Sequence, residues 1–329
     1  MNFMKQTSPI VLTSENALKR LIIYNLGTTF TVITALIIQS LLGIEYFVFG
    51  LAQIMSAVLI SLLIVIIQGI GLEHYLSYKT THKPLTYGLL AALLLPVLSP
   101  VYLVPLVIIL MHIIEFLFYK LFHKNIVHPV LLSLAIIYLL FPNQFLIPET
   151  MQAVFDSSRL EIGRIRFLFG AYEGVSLGAT SFMFLAMFWV YMSVSKIIDY
   201  KRCMWFLLHL LIYTTILYFV ADYTLWTLFN RLFMGYTLFI FVFFIGEPTA
   251  SPELPETRAI FPFITAVSLV FLRLEFDLVF APIYAVLIAQ SSTWIIEQFY
   301  HQSTRFRLRF AQSMVVVSWI AILIYTLIT

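Results

Sequence analysis

Residues 46–70 read YFVFGLAQIMSAVLISLLIVIIQGI, and this stretch decides the fold class. It has no charged side chain and exceeds the roughly 20 apolar residues that a helix needs to cross a bilayer. Because the bilayer core offers backbone groups no water, such a segment crosses as an α-helix. Similar segments recur on both sides of it, and the sequence therefore predicts an all-α membrane protein.

The composition of the whole chain agrees with a membrane protein. Of its 329 residues, 61% are hydrophobic and 11% are charged, whereas about a quarter of the residues in a soluble domain are charged. The net charge is +3, and no basic run is typical of a nucleic-acid surface, so no nucleic-acid partner is expected. The single cysteine, Cys203, cannot form an intramolecular disulfide or hold an iron–sulfur cluster alone. No common metal-binding motif is present.

Eleven apolar segments are candidate spans. The third and fifth are too short to cross unaided, and short segments often mark broken helices around a central site. The first ten divide into five and five, and an odd number per half predicts inverted repeats. The predicted fold is thus about ten transmembrane helices, as two inverted five-helix repeats, plus one extra C-terminal helix. The candidate spans are 20–43, 46–70, 84–97, 101–120, 128–142, 174–195, 203–221, 225–246, 258–273, 278–296 and 311–328.

These segments also set the predicted domain boundaries. The turn Leu98-Ser99-Pro100 is expected to close the third span tightly against the fourth. The predicted units are a cytoplasmic segment (1–19), a first repeat (20–142), an outer loop (143–173), a second repeat (174–300), and a basic linker with the extra span (301–329).

The basic residues predict the orientation. With the N-terminus in the cytoplasm, most of the 19 Lys and Arg residues fall on the inner side, as the positive-inside rule requires. We therefore expect a bacterial-type inner-membrane protein whose C-terminus lies outside. Arg273 shares a short outer loop with Glu275 and Asp277, and we expect these three side chains to be solvated. The other basic residues predicted outside are Arg159, Arg164 and Arg166, while Arg231 lies within a span.

Four patches interrupt the apolar pattern, and they carry a resemblance to a known family. With Ser8-Pro9 before the first span, their order and rough spacing resemble the homologous membrane components of two redox-driven ion pumps. These are RnfD of the Rnf electron transport complex and NqrB of the sodium-translocating NADH:quinone oxidoreductase (the NqrB/RnfD family). The resemblance runs from residue 8 to about residue 300. The patches are PLTYGLLAALLLP (84–96), NIVHPVLLSLAIIYLLFP (125–142), EGVSLGATS (173–181) and FIGEPTASPELPETR (244–258).

The resemblance implies a ten-span, two-repeat fold that binds flavins and passes electrons through them. In that family one FMN is esterified to a threonine of an S-G-A-T motif on the outer side, and a second flavin sits between helices toward the inner side. Here Gly178-Ala179-Thr180 opens the sixth span instead, and the outer loop contains no S-G-A-T. We therefore expect flavin, FMN or riboflavin, to be bound non-covalently, and we do not expect covalent FMN at Thr180.

The candidate cofactor-binding residues come from three of the patches, each with an ordinary structural alternative. The 247–252 segment is either a helix break that binds the flavin ring or a Pro-rich turn. The 176–181 hydroxyls either cap a helix or hold a phosphate. His128 either is an interfacial residue before a helix-starting proline or bonds a flavin or quinone. The candidates are Asn125, His128, Pro129, Ser176, Gly178, Thr180, Ser181, Glu247, Pro248, Thr249, Ser251 and Arg258.

One further pair of ionisable residues falls within a span. His112 and Glu115 are three apart in the fourth span and therefore share a helix face. Ionisable residues within a span suggest a functional site. Glu115 is little more than a turn from Lys120, however, and a pair that snorkels to the inner surface is the structural alternative.

Three functions remain compatible with the sequence. The first is a membrane electron-transfer subunit that relays electrons through bound flavin, with partner subunits or a flavoprotein, quinone as a candidate partner, and ion translocation coupled to it. The second is a small-solute channel or transporter on the same scaffold, which the missing S-G-A-T favours. The third is a non-catalytic anchor whose eleventh span and basic segment Arg305–Arg309 dock a neighbour. The lipid bilayer is a partner in all three.

Overall fold

The computed structural model is helical throughout the part of the chain that it describes, and no strand occurs there. This confirms the all-α prediction. The described residues are 14–71, 83–122, 125–145, 176–179, 182–195, 197–220, 224–233, 236–247, 252, 254–276 and 278–300. The predicted eleventh span and most of the 143–173 loop lie outside them.

The predicted helices of the first half are present with similar bounds. The third and fifth have 12 residues each, about 18 Å at 1.5 Å per residue, which is short of the roughly 30 Å hydrocarbon core. They are thus too short to cross unaided, as predicted. The helices are α1 (Ser14–Leu42), α2 (Ile44–Gly71), α3 (Lys83–Leu94), α4 (Leu103–Phe122) and α5 (Pro129–Leu140).

The second half contains two local departures from the α-helix. A short 3-10 turn, Leu177–Ala179, precedes its first helix, and the predicted span 225–246 is described in two parts, on either side of residues 234–235. Its second part ends as a π-helix, Phe241–Ile245. The helices are α6 (Phe182–Val194), α7 (Tyr200–Val220), α8 (Leu225–Phe233), α9 (Tyr236–Ile240), α10 (Pro255–Leu274) and α11 (Ala281–Tyr300).

Several of these helices are long and apolar enough to cross a membrane. Their outer faces carry large apolar side chains such as Leu41 and Ile44, which are 79% and 78% exposed. In a bilayer these side chains contact lipid and need no protein cover. The spanning segments are Tyr24–Leu42, Ile44–Ile67, Leu103–Phe122, Tyr200–Val220 and Glu256–Leu274.

Helices next to each other in sequence pack together in both halves. The pairs α1–α2, α2–α3 and α4–α5 are in contact in the first half, and α10 packs on both α7 and α11 in the second. Contacts of α1 with α6 and of α5 with α11 join the halves. The N-terminus of α5 therefore faces the second half of the chain.

The turn between α3 and α4 is tight, as predicted, and a buried glutamine holds it. Ser99 N–H donates to the Pro96 carbonyl at 3.0 Å, and Leu103 N–H donates to Pro100 at 3.0 Å. The Gln53 amide of α2 donates to the carbonyls of Pro96, Val97 and Ser99 at 2.8, 3.1 and 3.3 Å. Gln53 thereby satisfies buried carbonyl groups of the turn that follows α3.

Candidate functional site

A buried imidazole–carboxylate pair joins the two halves of the chain. His128 lies at the N-cap position of α5, and Glu247 follows the π-helix. Nε2 of His128 is 3.2 Å from Oε2 of Glu247, and their side chains are 0% and 9% exposed. Ionisable groups at this depth are costly in a membrane protein unless they are paired. The structure thus brings together two of the predicted site residues, from different patches.

The position of His128 follows from the start of α5. Pro129 occupies the first turn of the helix, where its missing N–H costs no hydrogen bond. His128 N–H donates instead to Oε1 of Gln290 on α11 at 2.8 Å, while its side chain makes no cap. The imidazole is fully buried, so His128 faces packed helices and not the protein surface.

Aromatic rings surround the imidazole. The edge-to-face neighbours of His128 are Tyr87 of α3, at a ring-centroid distance of 5.1 Å, and Phe244, at 4.6 Å. Nδ1 and Nε2 of His128 are both buried and make no hydrogen bond to the described residues; Nε2 is in contact with Glu247 at ion-pair distance. The ring is therefore held by Glu247 on one nitrogen, while the other is open to a further polar group.

The π-helix delivers Glu247 to this position. π-Helical turns occur mostly as single insertions in α-helices, frequently at functional sites. After it, the carbonyl of Gly246 accepts a hydrogen bond from Asp199 N–H at 3.0 Å. A Cβ at Gly246 would lie 2.9 Å from Cβ of Ile198 and 3.0 Å from Sγ of Cys203. The backbone before Glu247 thus passes too close to α7 and its preceding residues for a side chain at position 246.

Two further polar contacts from α1 flank the pair. The Tyr24 hydroxyl donates to the Phe243 carbonyl at 2.9 Å, and it is near enough to Glu247 and Tyr87 to interact with them electrostatically. One residue further along α1, the side chain of Asn25 hydrogen-bonds Thr86 of α3. A hydroxyl of α1 therefore bonds one of the carbonyls within the π-helix.

The turn after Glu247 is fastened by α11. Oε1 of Glu297 accepts hydrogen bonds from Leu254 N–H at 3.1 Å and from the Thr257 hydroxyl at 2.7 Å. Exposed Arg258 donates from Nε to the Pro252 carbonyl at 3.1 Å, so it stabilises the turn. The candidates Pro248, Thr249 and Ser251 lie outside the described residues, and Asn125 is half-buried on the approach to α5.

The patch at 176–179 packs elsewhere along the same helices. A Cβ at Gly178 would lie 2.5 Å from the Phe239 ring and 3.0 Å from the Leu93 carbonyl. Leu93 follows Tyr87 by six residues in α3, and Phe239 precedes Phe244 by five, so this patch flanks the pair and does not join it. Ser176 uses its carbonyl to accept Ala179 N–H at 3.2 Å. The candidates Thr180 and Ser181 lie outside the described residues.

One expectation about a charged residue is wrong, and two residues that contact His128 were not identified from the sequence. Arg273 was expected to be solvated, but it is 1% exposed. It ends α10 among packed helices, close enough to Tyr236 to interact electrostatically. Gln290 and Tyr87 contact His128 and were not predicted. Gln290 and Tyr87 each lie in an apolar segment. The only sequence signal for them was a single polar side chain within a predicted span.

The chemistry of this site is that of hydrogen bonding and proton exchange. Within the described residues, no group of three or more His, Cys, Asp or Glu side chains could hold a metal ion. The pair at 128 and 247 can bond a polar ligand edge, and the surrounding rings exclude water.

Comparison with known proteins gives one family match. A family model described as the NQR2, RnfD, RnfE family matches residues 25–305, which is most of the chain and includes the site. No curated protein matches the chain.

Proposed function

The chain belongs to the NQR2, RnfD, RnfE family, and from this premise we propose that it is a membrane electron-transfer subunit that relays electrons through a bound flavin. It would work within a redox-driven complex with partner subunits or a flavoprotein. Quinone is a candidate partner, and ion translocation is a candidate coupled process. We further propose the finer architecture of two inverted five-helix repeats, with the site at their junction, as in many transport proteins.

The observation that carries this proposal is the buried His128–Glu247 pair between the two halves of the chain. With the proton on Nε2, the nitrogen that faces the carboxylate of Glu247, Nδ1 of His128 is an acceptor. It has no partner among the described residues, and a ring N–H of an isoalloxazine would satisfy it. This unpartnered acceptor supports the proposal of a flavin held without a covalent bond.

Each residue has a distinct role in this proposal. Bound flavin supplies the redox chemistry, and the protein supplies position and electrostatics. Glu247 fixes the tautomer and orientation of His128, as a carboxylate does for an imidazole in other sites. Tyr87 and Phe244 contact the imidazole edge-on and exclude water, which strengthens its hydrogen bonds.

A visible spectrum of the detergent-purified protein tests the proposal. Flavin bands that disappear from the protein on denaturation are the expected result, and in-gel fluorescence after denaturation should be absent. Flavin that stays on the protein would instead indicate covalent attachment and contradict the non-covalent assignment. A protein that carries no flavin, and binds none added as FMN or riboflavin, would overturn the proposal.

Two matched histidine variants locate the site. We expect His128→Leu to lower the affinity for added riboflavin by about tenfold, the equivalent of one lost hydrogen bond of about 1.4 kcal/mol. His209→Leu changes a histidine of α7 that contacts Trp205 and Phe263, and it should leave the affinity unchanged. If the unsubstituted protein and both variants bind riboflavin with equal affinity, the flavin site does not include His128.

One set of buried atoms favours a second candidate function, a small-solute channel or transporter. Gln39 and Ser61 are 0% exposed, and their side-chain polar atoms have no hydrogen-bond partner among the described residues. Buried polar groups of this kind usually bind water or a polar ligand. Flux of a small polar solute into proteoliposomes made with flavin-free protein would support this candidate, and absence of flux would exclude it for the solute tested.

A further inference from the structure

A groove with one histidine in an otherwise apolar lining lies on the membrane-facing surface of the first half. It lies between α2 and α4 and encloses about 480 Å³. Apolar side chains line most of it, and they include Ile64, Ile109, Ile113, Phe116 and Leu117; His112 is the remaining residue of the lining. An apolar groove alone would hold lipid chains, so the histidine distinguishes this one.

His112 has hydrogen-bonding capacity that the described residues do not use. Its Nδ1 is 3.7 Å from Oε2 of Glu115, whereas its Nε2 is buried and has no hydrogen-bond partner in the described part of the chain. A lipid acyl chain cannot bond Nε2. A polar group on a transmembrane segment can do so, and such bonds between helices stabilise membrane packing by roughly 1 kcal/mol.

We propose that the C-terminal apolar segment of this chain, residues 311–328, occupies the α2–α4 groove. The last described helix, α11, ends at Tyr300, and its Trp294 ring packs edge-to-face on Phe122 at the end of α4, at 5.7 Å. The chain thus leaves α11 beside the end of α4. Residues 301–310 are long enough, at about 3.3 Å each, to reach the groove from there.

The charges and polar residues of this segment match the groove in depth. Arg305, Arg307 and Arg309 precede the apolar segment, on the predicted inner side, where Lys120 lies in the last turn of α4. At 1.5 Å per residue, His112 lies about 12 Å beyond Lys120. Ser318 lies about 10 Å beyond residue 311 by the same measure. Ser318 therefore matches His112 in predicted depth.

Disulfide crosslinking in native membranes tests the proposal. In a Cys203→Ala background, Ile113→Cys is combined with Ser318→Cys, and a protease site is inserted in the 143–173 loop. After oxidation and cleavage, we expect the two fragments to stay joined on a gel until reductant is added. Met314→Cys and Ile322→Cys, one turn to either side of position 318, are tested in the same way so that a small error in register does not hide the contact.

A matched control separates true proximity from random collision. Leu208 of α7 is 43% exposed and Ile113 is 50% exposed, and the two are at similar predicted depths. Leu208→Cys should not crosslink to Ser318→Cys. Crosslinks only between two copies of the chain would assign the groove to a second copy and overturn the proposal. Absence of any crosslink, with both cysteines reactive to a maleimide, would assign it to lipid or another protein and would also overturn it.

Discussion

At the scale of single residues, the interaction of His128 with Glu247 can be measured separately from the effect of each side chain. We expect a double-mutant cycle with His128→Ala and Glu247→Ala to give a coupling free energy of about 1.5–3 kcal/mol, because a hydrogen bond to a charged group in a buried site has this strength. The measurement is unfolding in mixed detergent micelles followed by tryptophan fluorescence. The cycle of His209→Ala with Glu247→Ala should be additive within about 0.5 kcal/mol. Additivity in the first cycle would contradict the pairing.

A second prediction at the residue scale concerns the tight contact at Gly178. Its Cβ would meet the Phe239 ring at 2.5 Å and the Leu93 carbonyl at 3.0 Å, so Gly178→Ala should destabilise the protein by about 1–3 kcal/mol, as overpacked substitutions do. Adding Phe239→Leu should recover part of this loss relative to Phe239→Leu alone, since a smaller side chain gives way. It should not recover all of it, because the Leu93 backbone cannot move as freely. Full recovery would show that the backbone contact is unimportant.

At the scale of elements, the sequence predicts the helices well and their interruptions poorly. Span 101–120 corresponds to α4, Leu103–Phe122, because an apolar run bounded by polar residues determines where a spanning helix lies. Span 225–246 ends in a π-helix that the sequence did not predict. The backbone hydrogen bonds of a Phe-rich segment depend on the residues that pack against it. Here the Tyr24 hydroxyl donates to the Phe243 carbonyl within the π-helix.

The candidate site could likewise be predicted only in part from the sequence. The patches at 125–142 and 244–258 could be recognised from the sequence because their polar and proline residues interrupt apolar segments. The contact between His128 and Glu247 could not, since it depends on how the two halves of the chain pack. The burial of Arg273 could not be predicted either, since a charged residue near a span end is usually solvated.

A prediction at the element scale concerns the N-terminus of α10. Glu297 of α11 accepts hydrogen bonds from Leu254 N–H and the Thr257 hydroxyl, in place of a local capping side chain. Glu297→Leu removes both bonds and should lower the unfolding free energy by about 1–3 kcal/mol, because buried donors lose their acceptor. Glu297→Gln keeps one acceptor oxygen and should lose less. Equal losses in the two variants would mean that the charge of Glu297, and not its hydrogen bonds, stabilises the turn.

At the scale of the whole molecule, the distribution of basic residues predicts which side each terminus faces. Loops rich in Lys and Arg stay in the cytoplasm, so a fluorescent-protein fusion after residue 304, which follows α11, should fluoresce. An alkaline phosphatase fusion after residue 329, beyond the predicted eleventh span, should be active, because this enzyme needs the oxidising outer side to form its disulfides. The exchanged fusions, with each reporter at the other position, should both be inactive. If the two positions report the same side, residues 311–328 do not cross the membrane; if both results are reversed, the positive-inside assignment is wrong.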